Sequence, residues 1–249
     1  MKPNRPSIGA ACCCCALLAG TRVAAGTPVA TNLNEYLLAP LRIHLLSAPD
    51  RPAVTTTLTA TDVARILLKI NRVWAQAGMN FYLESLLNEE AANLASGLGL
   101  GKPDDRSVLL SLRPAASQAT NLLHVYYLKR MLVNGVYLGP AIFVKDTASL
   151  REVEGGIDEP LPRVTSHELG HAFGLPHRQD TTNLMASGTT GIWLNDEEVR
   201  QVRDQALKLP WIEPATTVRR KAAELIREGK TNEAGIWCRR LAAIPLTAD

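Results

Sequence analysis

Three histidines and a glutamate lie close together in the segment HELGHAFGLPH, which covers residues 167–177. His167 and His171 are four residues apart, so on an α-helix they lie on one face, about 6 Å apart along the axis. At that spacing two imidazole rings can bind one zinc ion. Glu168 follows the first histidine directly and can reach a water molecule at the metal. The segment therefore predicts a zinc site on a helix, with a carboxylate beside it.

The third histidine, His177, completes this set from outside the helix. Gly174 stands three residues after His171 and can adopt the left-handed conformation that ends a helix and redirects the chain. Three neutral imidazoles leave one coordination position open, as a catalytic zinc site requires. His44 and His124 stand alone in the sequence and are interpreted as ordinary histidines.

The same eleven residues resemble the zinc signature of the metzincin peptidases, HExxHxxGxxH, at every fixed position. The resemblance implies one catalytic Zn²⁺ bound by His167, His171 and His177. It implies that Glu168 is the general base of peptide-bond hydrolysis, and that Gly174 forms the turn between the second and third ligands. The implied substrate is a protein or peptide.

A methionine turn beneath the metal is a further property of that family. The segment Asn183-Leu184-Met185-Ala186 resembles this turn, with Met185 as the floor of the site. Some metzincins carry a tyrosine two residues later that assists at the metal; here the residue is Ser187, so that role is vacant. The specificity pocket is expected from the loop 185–194, which includes Gly188, Thr189, Thr190, Ile192 and Trp193.

The elements that must position these residues follow from local patterns along the chain. Thr59 and Asp62 have the spacing of a capping box, and apolar residues then repeat at helical spacing as far as Gly78. Runs rich in Val, Leu, Ile and Tyr predict strands, at Leu41–Leu46, Met79–Leu83, Val108–Leu112, Leu122–Leu128 and Val136–Val144. Further helices are predicted at Leu86–Leu94, at Pro162–Phe173, from Asn195 or Asp196 onward, and as two short helices in 215–249 broken at Gly229.

This order of elements resembles the metzincin fold over roughly residues 40–210. The implied class is α+β, with two subdomains, a mixed twisted sheet, long helices that include the zinc-binding helix, and a C-terminal helical extension. Val136–Val144 contains Pro140, which restricts it to an edge strand. In the resembling enzymes such an edge pairs antiparallel with an extended substrate.

The first 25 residues have the properties of an export signal. Lys2 and Arg5 precede an uncharged apolar run, and small residues follow at Val23, Ala24 and Ala25. We therefore predict a signal peptide at 1–25, a catalytic domain at 26–210 and a helical extension at 211–249, in a secreted or periplasmic protein. Four of the five cysteines lie in the leader, which leaves Cys238 as either an inert thiol or a link between chains.

The charge balance excludes several classes of partner. The chain has 27 Lys and Arg against 24 Asp and Glu, and three of the basic residues (Lys2, Arg5 and Arg22) lie in the leader. The remainder is balanced and provides no nucleic-acid footprint. The apolar run at 8–20 is shorter than the roughly 20 residues that span a bilayer, so no stable membrane insertion is expected. The oligomeric state is left open.

The interpretation favoured by these residues is a secreted zinc-dependent endopeptidase. The main alternative is a secreted binding protein that keeps the scaffold and the zinc but has little hydrolytic activity, with the helices in 215–249 as a docking surface. Those helices can equally form a cap packed on the catalytic domain. A purely structural zinc site is a third interpretation, and it calls for a fourth protein ligand that the sequence does not show.

Overall fold

The computed structural model describes residues 36–92, 106–139 and 141–242. The predicted leader, the glycine-rich loop around 97–103 and Pro140 lie outside these residues. All described residues belong to one compact unit, Ala30–Leu246. In the described part of the chain, no helix has both the length and the apolar character needed to cross a membrane.

A mixed six-stranded sheet forms the centre of the fold. Its strands are β1 (Leu37–Ser47), β2 (Met79–Glu90), β3 (Leu123–Leu128), β4 (Gly135–Tyr137), β5 (Ile142–Lys145) and β6 (Glu213–Pro214). Their order is β2-β1-β3-β5-β4, and β6 pairs with β1. The pairs β1–β2, β1–β3 and β3–β5 are parallel, whereas β4 runs antiparallel to β5 and β6 antiparallel to β1. Strand β4 is therefore an edge of the sheet.

Six helices surround this sheet in the described residues. They are α1 (Ala60–Trp74), α2 (Arg106–Ser111), α3 (Pro160–Ala172), α4 (Asp196–Ala206), α5 (Ala215–Arg227) and α6 (Thr231–Ala242). Short 3₁₀ turns follow α1 at Ala75–Ala77 and precede β3 at Ala115–Ser117. The mixed sheet and the helices confirm the predicted α+β class.

Helix α1 is fixed at both ends by the signals seen in the sequence. The Thr59 side chain accepts from the Asp62 N–H, and the Asp62 carboxylate accepts from the Thr59 N–H, which completes a capping box. Gly78 ends the following 3₁₀ turn with a φ of 59°. The buried side chain of Asn71 bonds both the N–H and the carbonyl of Phe81, so α1 is tied directly to β2.

The central strand β1 is buried on both faces, which explains its nearly continuous apolar sequence. Side chains alternate along a strand. Ile43 and Leu45 therefore pack in the main core with α1 and α3, whereas Leu46 packs in a second core with Tyr126 and Phe143 on the opposite face. The zinc-motif helix lies on the first of these faces.

Three of the predicted elements are corrected by the structure. The helix predicted at Leu86–Leu94 is wrong as far as Glu90, because these residues extend β2 in parallel register with β1. The strand predicted at Val108–Leu112 is wrong, because Arg106–Ser111 is helical; a short apolar run does not separate these two states. Val136–Val144 is not one strand but parts of two, β4 and β5. These strands run antiparallel, and the bond from the Leu138 N–H to the Ala141 carbonyl joins them beside the turn.

The C-terminal helices α5 and α6 form a hairpin at Gly229, which has a φ of 75°. Glu213 in β6 forms ion pairs with Lys221 on α5 and Arg240 on α6. The Arg240 guanidinium also lies over the rings of Tyr82 and Trp237. The hairpin is thus packed against the sheet, as in the cap interpretation. The domain boundary at 211 stays a prediction.

Candidate metal centre

Helix α3 carries the first two histidines of the motif. Pro160 occupies its first turn, where a missing N–H costs no hydrogen bond. Every residue from Leu161 to Gly170 is buried, so the helix is held tightly in the protein. Exposure then rises along the motif: His167 is buried, His171 is half-buried and His177 is exposed. The site is therefore buried at His167 and open to solvent at His177.

The three imidazole rings converge on one point. Nε2 of His171 lies 3.2 Å from Nε2 of His167 and 3.1 Å from Nε2 of His177. All three candidate ligand atoms lie within 4.8 Å of one another. Nitrogen ligands around a tetrahedral zinc ion are separated by roughly 3.3 Å. The ring nitrogens are thus already spaced to bind one such ion.

The hydrogen bonds of the other ring nitrogens determine which nitrogen faces the centre. Nδ1 of His167 lies 2.8 Å from the Leu184 carbonyl, and Nδ1 of His171 lies 2.8 Å from the Leu175 carbonyl. Because a carbonyl only accepts, Nδ1 of His171 carries the proton. Nδ1 of His167 also lies 3.2 Å from Nη1 of Arg163, but its shorter contact with the Leu184 carbonyl favours the same tautomer. Each neutral ring then presents its Nε2 lone pair inward. Lone pairs facing each other at this distance repel unless a cation lies between them, so the donor set fits a metal ion.

Burial keeps the rings of His167 and His171 neutral. Desolvation, together with the nearby Arg163 cation, lowers the pKa of His167 to about 3. The pKa of His171 is also lowered, mainly by burial. Neutral imidazole is the form that binds metals.

Gly174 lies in the turn that follows the motif helix. Its φ is 82°, and the Leu175 N–H bonds back to the Gly170 carbonyl, so the chain leaves the helix in a tight turn. Gln201 on α4 donates to the Gly174 carbonyl at 2.7 Å. This turn directs His177 back to the two helical histidines.

Glu168 lies beside the histidine cluster and is almost fully buried, with 5% exposure. Burial raises the pKa of its carboxyl to about 7, and a backbone hydrogen bond from Tyr137 and the charge of Arg163 oppose that rise. Gly135 allows β4 to approach, because a Cβ at this position would lie 2.8 Å from Oε1 of Glu168. Edge strand β4 and the candidate base are thus in direct contact.

Met185 lies directly under the motif helix and has no exposed surface. A Cβ on Gly170 would meet its sulfur at 2.5 Å, so the glycine between the two histidines leaves the space that the methionine occupies. The Met185 N–H bonds Oδ1 of Asn183, which closes the turn. Met185 therefore packs against the motif helix between the two helical histidines, and its role beneath a metal stays a prediction.

Arg163 is a residue of this site that the sequence analysis missed. Its side chain is 2% exposed, one turn before His167 on α3. The guanidinium donates to the carbonyls of Gly191 at 3.1 Å, Ala186 at 2.5 Å and Asn183 at 3.4 Å. It thereby fixes the loop whose Leu184 carbonyl accepts from His167. The sequence signal that could have identified Arg163 is its position four residues before His167, in an otherwise apolar turn of the helix.

An open cleft of about 340 Å³ adjoins the cluster. Its lining includes His167, Glu168 and His177 of the motif, together with the apolar residues Leu132, Val133 and Leu150.

Only part of the expected pocket loop lines this cleft. Ser187 and Gly188 do so, whereas Thr189 and Thr190 are buried and bond the main chain of Thr181 and Val153. Trp193 is 58% exposed and lines a different cavity, of about 300 Å³.

His44 and His124 lie on the other face of the sheet, away from the zinc motif. His44 bonds Glu89 at 2.5 Å and His124 at 2.9 Å, and the His124 ring continues to the backbone of Ala119. His44 also stacks on Tyr126 with ring centres 4.0 Å apart. These contacts form a buried structural chain, in keeping with the sequence interpretation.

Comparison with known proteins gives low similarity throughout. No protein-family model matches the sequence, and no curated protein matches it. Among solved structures, it is similar to an archaemetzincin from Methanopyrus kandleri, with 16% identity, a TM-score of 0.44, and coverage of 68% of this chain and 96% of that one. It is also similar to mirolysin in complex with a compound, with 11% identity, a TM-score of 0.47, and coverage of 68% and 91%. At these values the similarities carry no functional conclusion.

Proposed function

We propose that this chain is a secreted or periplasmic zinc-dependent endopeptidase of the metzincin type. The observation that carries the proposal is the convergence of three Nε2 atoms, with Glu168 buried beside them and an open cleft in front. The family assignment is supported by the match of residues 167–177 to the signature and by the position of Met185.

His167, His171 and His177 would hold one Zn²⁺ ion, which when bound supplies Lewis-acid polarisation of the scissile carbonyl and lowers the pKa of a water ligand to about 7. Glu168 accepts a proton from the attacking water on a carboxylate oxygen and delivers it to the leaving amine. Its raised pKa suits both steps. Ser187 stands where some metzincins have a tyrosine that assists at the metal. In this proposal, backbone N–H donors take over that assistance at the developing oxyanion.

The substrate side of the cleft fits an extended peptide. Edge strand β4 borders Glu168, which accepts from the Tyr137 N–H, and the backbone groups of β4 that neither β5 nor Glu168 uses can bond another strand. Leu132, Val133 and Leu150 line the cleft beside it and offer contact to apolar side chains. This surface supports a protein or peptide substrate.

Two features favour an enzyme over the alternative functions. In the described residues no fourth histidine, cysteine or carboxylate joins the cluster, which argues for an open coordination position and against a structural zinc site. The helical hairpin α5–α6 was the reason for considering a binding role. Its residues Trp237 and Arg240 instead make contacts within the chain. Secretion rests on the predicted leader at 1–25.

The test is zinc content together with cleavage of a peptide library by the chain without its predicted leader, 26–249. Glu168→Gln is expected to keep zinc and lose most turnover, because only the base is removed. His177→Ala is expected to lose zinc affinity as well. Glu197→Gln, which changes an exposed carboxylate on α4, serves as the matched control. Zinc without cleavage by the unmodified chain would favour the binding-protein alternative, and no zinc would refute the proposal.

A further inference from the structure

The third histidine is held differently from the other two. His167 and His171 lie on a buried helix, and each Nδ1 donates to a backbone carbonyl. His177 is exposed and lies in an irregular segment. Within the described residues, its ring has no corresponding carbonyl partner; its hydrogen-bond-distance contact is with Nε2 of His171. The placement of His177 therefore depends on what holds the adjoining main chain.

Arg178, the next residue, is the anchor of that segment. Its N–H donates to the Met185 carbonyl at 3.0 Å. Its Nε donates to Oε1 of Glu198 at 2.6 Å. Glu198 lies in the first turn of α4 and its side chain has no exposed surface, whereas that of Arg178 is 37% exposed. A buried carboxylate thus holds the residue next to the third ligand.

The other oxygen of Glu198 holds the methionine turn. Oε2 accepts from Nδ2 of Asn183 at 2.8 Å and from the Asn195 N–H at 2.9 Å. Asn183 in turn accepts from the Met185 N–H. One carboxylate therefore connects the start of α4, the segment after His177 and the turn beneath the metal centre.

A helix cap alone does not explain this arrangement. A capping box needs a side-chain oxygen three residues after the cap, and glutamine supplies it as well as glutamate. Full burial of a charged group is costly unless that charge is paired. The charge of Glu198 is matched by Arg178, outside the capping box. The pairing points to a second role for this carboxylate.

We propose that Glu198 is a positioning residue for the metal centre, which holds His177 in place through Arg178 and through the Asn183–Met185 turn. This role rests on the proposed zinc function. Residues that orient a metal ligand from behind commonly contribute 10- to 100-fold to metal affinity.

Glu198→Gln separates the two roles. Its remaining oxygen can still accept from the Asn195 N–H, but an amide NH₂ facing Nε–H of Arg178 brings two donors together and breaks that link. We expect the zinc dissociation constant, measured by competition with a chromophoric chelator, to rise about 10- to 100-fold. The visible spectrum of the Co²⁺-substituted protein should lose intensity, as His177 is replaced by water.

Two further variants keep the test decisive. Arg178→Gln breaks the same link from its exposed side without emptying a buried position, and should weaken zinc binding in the same way. Asn195→Ala removes the other half of the capping box, in which Oδ1 accepts from the Glu198 N–H at 2.9 Å, and leaves Arg178 paired. It should lower the unfolding midpoint and leave the zinc dissociation constant unchanged.

Unchanged zinc affinity in Glu198→Gln and Arg178→Gln, beside normal binding by the unmodified protein, would overturn this role alone. Equal weakening in Asn195→Ala would also overturn it, since the effect would then be one of general stability. An unmodified protein that binds no zinc would overturn the proposed function and this role with it.

Discussion

Gly135 is the position where one added carbon should separate activity from folding. A Cβ there would lie 2.6 Å from Cγ1 of Val164, 2.8 Å from Oε1 of Glu168 and 2.9 Å from Cγ of Glu168. Comfortable contact between carbon atoms requires about 3.5–4.0 Å. The backbone of β4 or the Glu168 side chain must therefore move by roughly 1 Å in Gly135→Ala.

The size of the effect follows from that displacement. A shift of about 1 Å in a catalytic group costs about 10²-fold in rate. Overpacking of a buried contact costs about 1–3 kcal/mol of stability, which leaves most folded domains intact. We therefore expect kcat to fall about 10²-fold while zinc content stays at that of the unmodified protein.

The matched control is Gly139→Ala in the turn between β4 and β5. A Cβ at Gly139 meets nothing within 4 Å, but its φ of 70° makes alanine strained there. That strain costs about 1–2 kcal/mol, so both variants are destabilised to a similar degree. Peptide cleavage and urea unfolding should be measured on both. Equal kcat in the two variants would refute the claim that Gly135 determines the position of Glu168.

Two further predictions concern stability. Burial lowers the pKa of His44 to about 3, so between that value and its ordinary 6.5 the unfolded chain binds a proton that the folded chain does not. The free energy of unfolding should therefore fall as pH drops through this window, by up to about 5 kcal/mol. An equally steep fall in His44→Gln, measured by denaturant titration, would contradict this. The Trp74 side chain is unexposed and in edge contact with Phe81 and Phe173. Trp74→Ala should therefore lower the free energy of unfolding by about 3–5 kcal/mol. Leu68→Ala on the exposed side of the same helix should change little, and equal losses by thermal unfolding would refute the core assignment.

The convergence of the three histidines was predictable because much of it follows from local chemistry. The spacing of His167 and His171 and the glycine turn at Gly174 are properties of one helix and its end, and both are visible in the sequence. The capping box at Thr59 is local in the same sense.

The remainder depends on contacts between distant segments. From the sequence, Glu198 is recognisable only as half of a capping box. Its pairing with Arg178 is not visible there, because it arises only when α4 packs beside the motif. The residues after Leu86 have a helical pattern, yet pairing with β1 holds them in a strand. Gly135 has no signal of its own, since its role lies in the approach of Glu168.

The pairing of β1 with β6 has a consequence for the time course of folding. Leu37 and Leu38 pair with Pro214 and Glu213, so the first described strand meets one of its partners only after almost all of the described chain has been made. At a synthesis rate of about 5–20 residues per second, roughly ten to thirty seconds separate the two. Throughout that interval the N-terminal end of β1, which β3 does not cover, has an unsatisfied edge, and such an edge is a site for aggregation. A chaperone that shields β1 until β6 arrives would therefore increase the yield of folded protein.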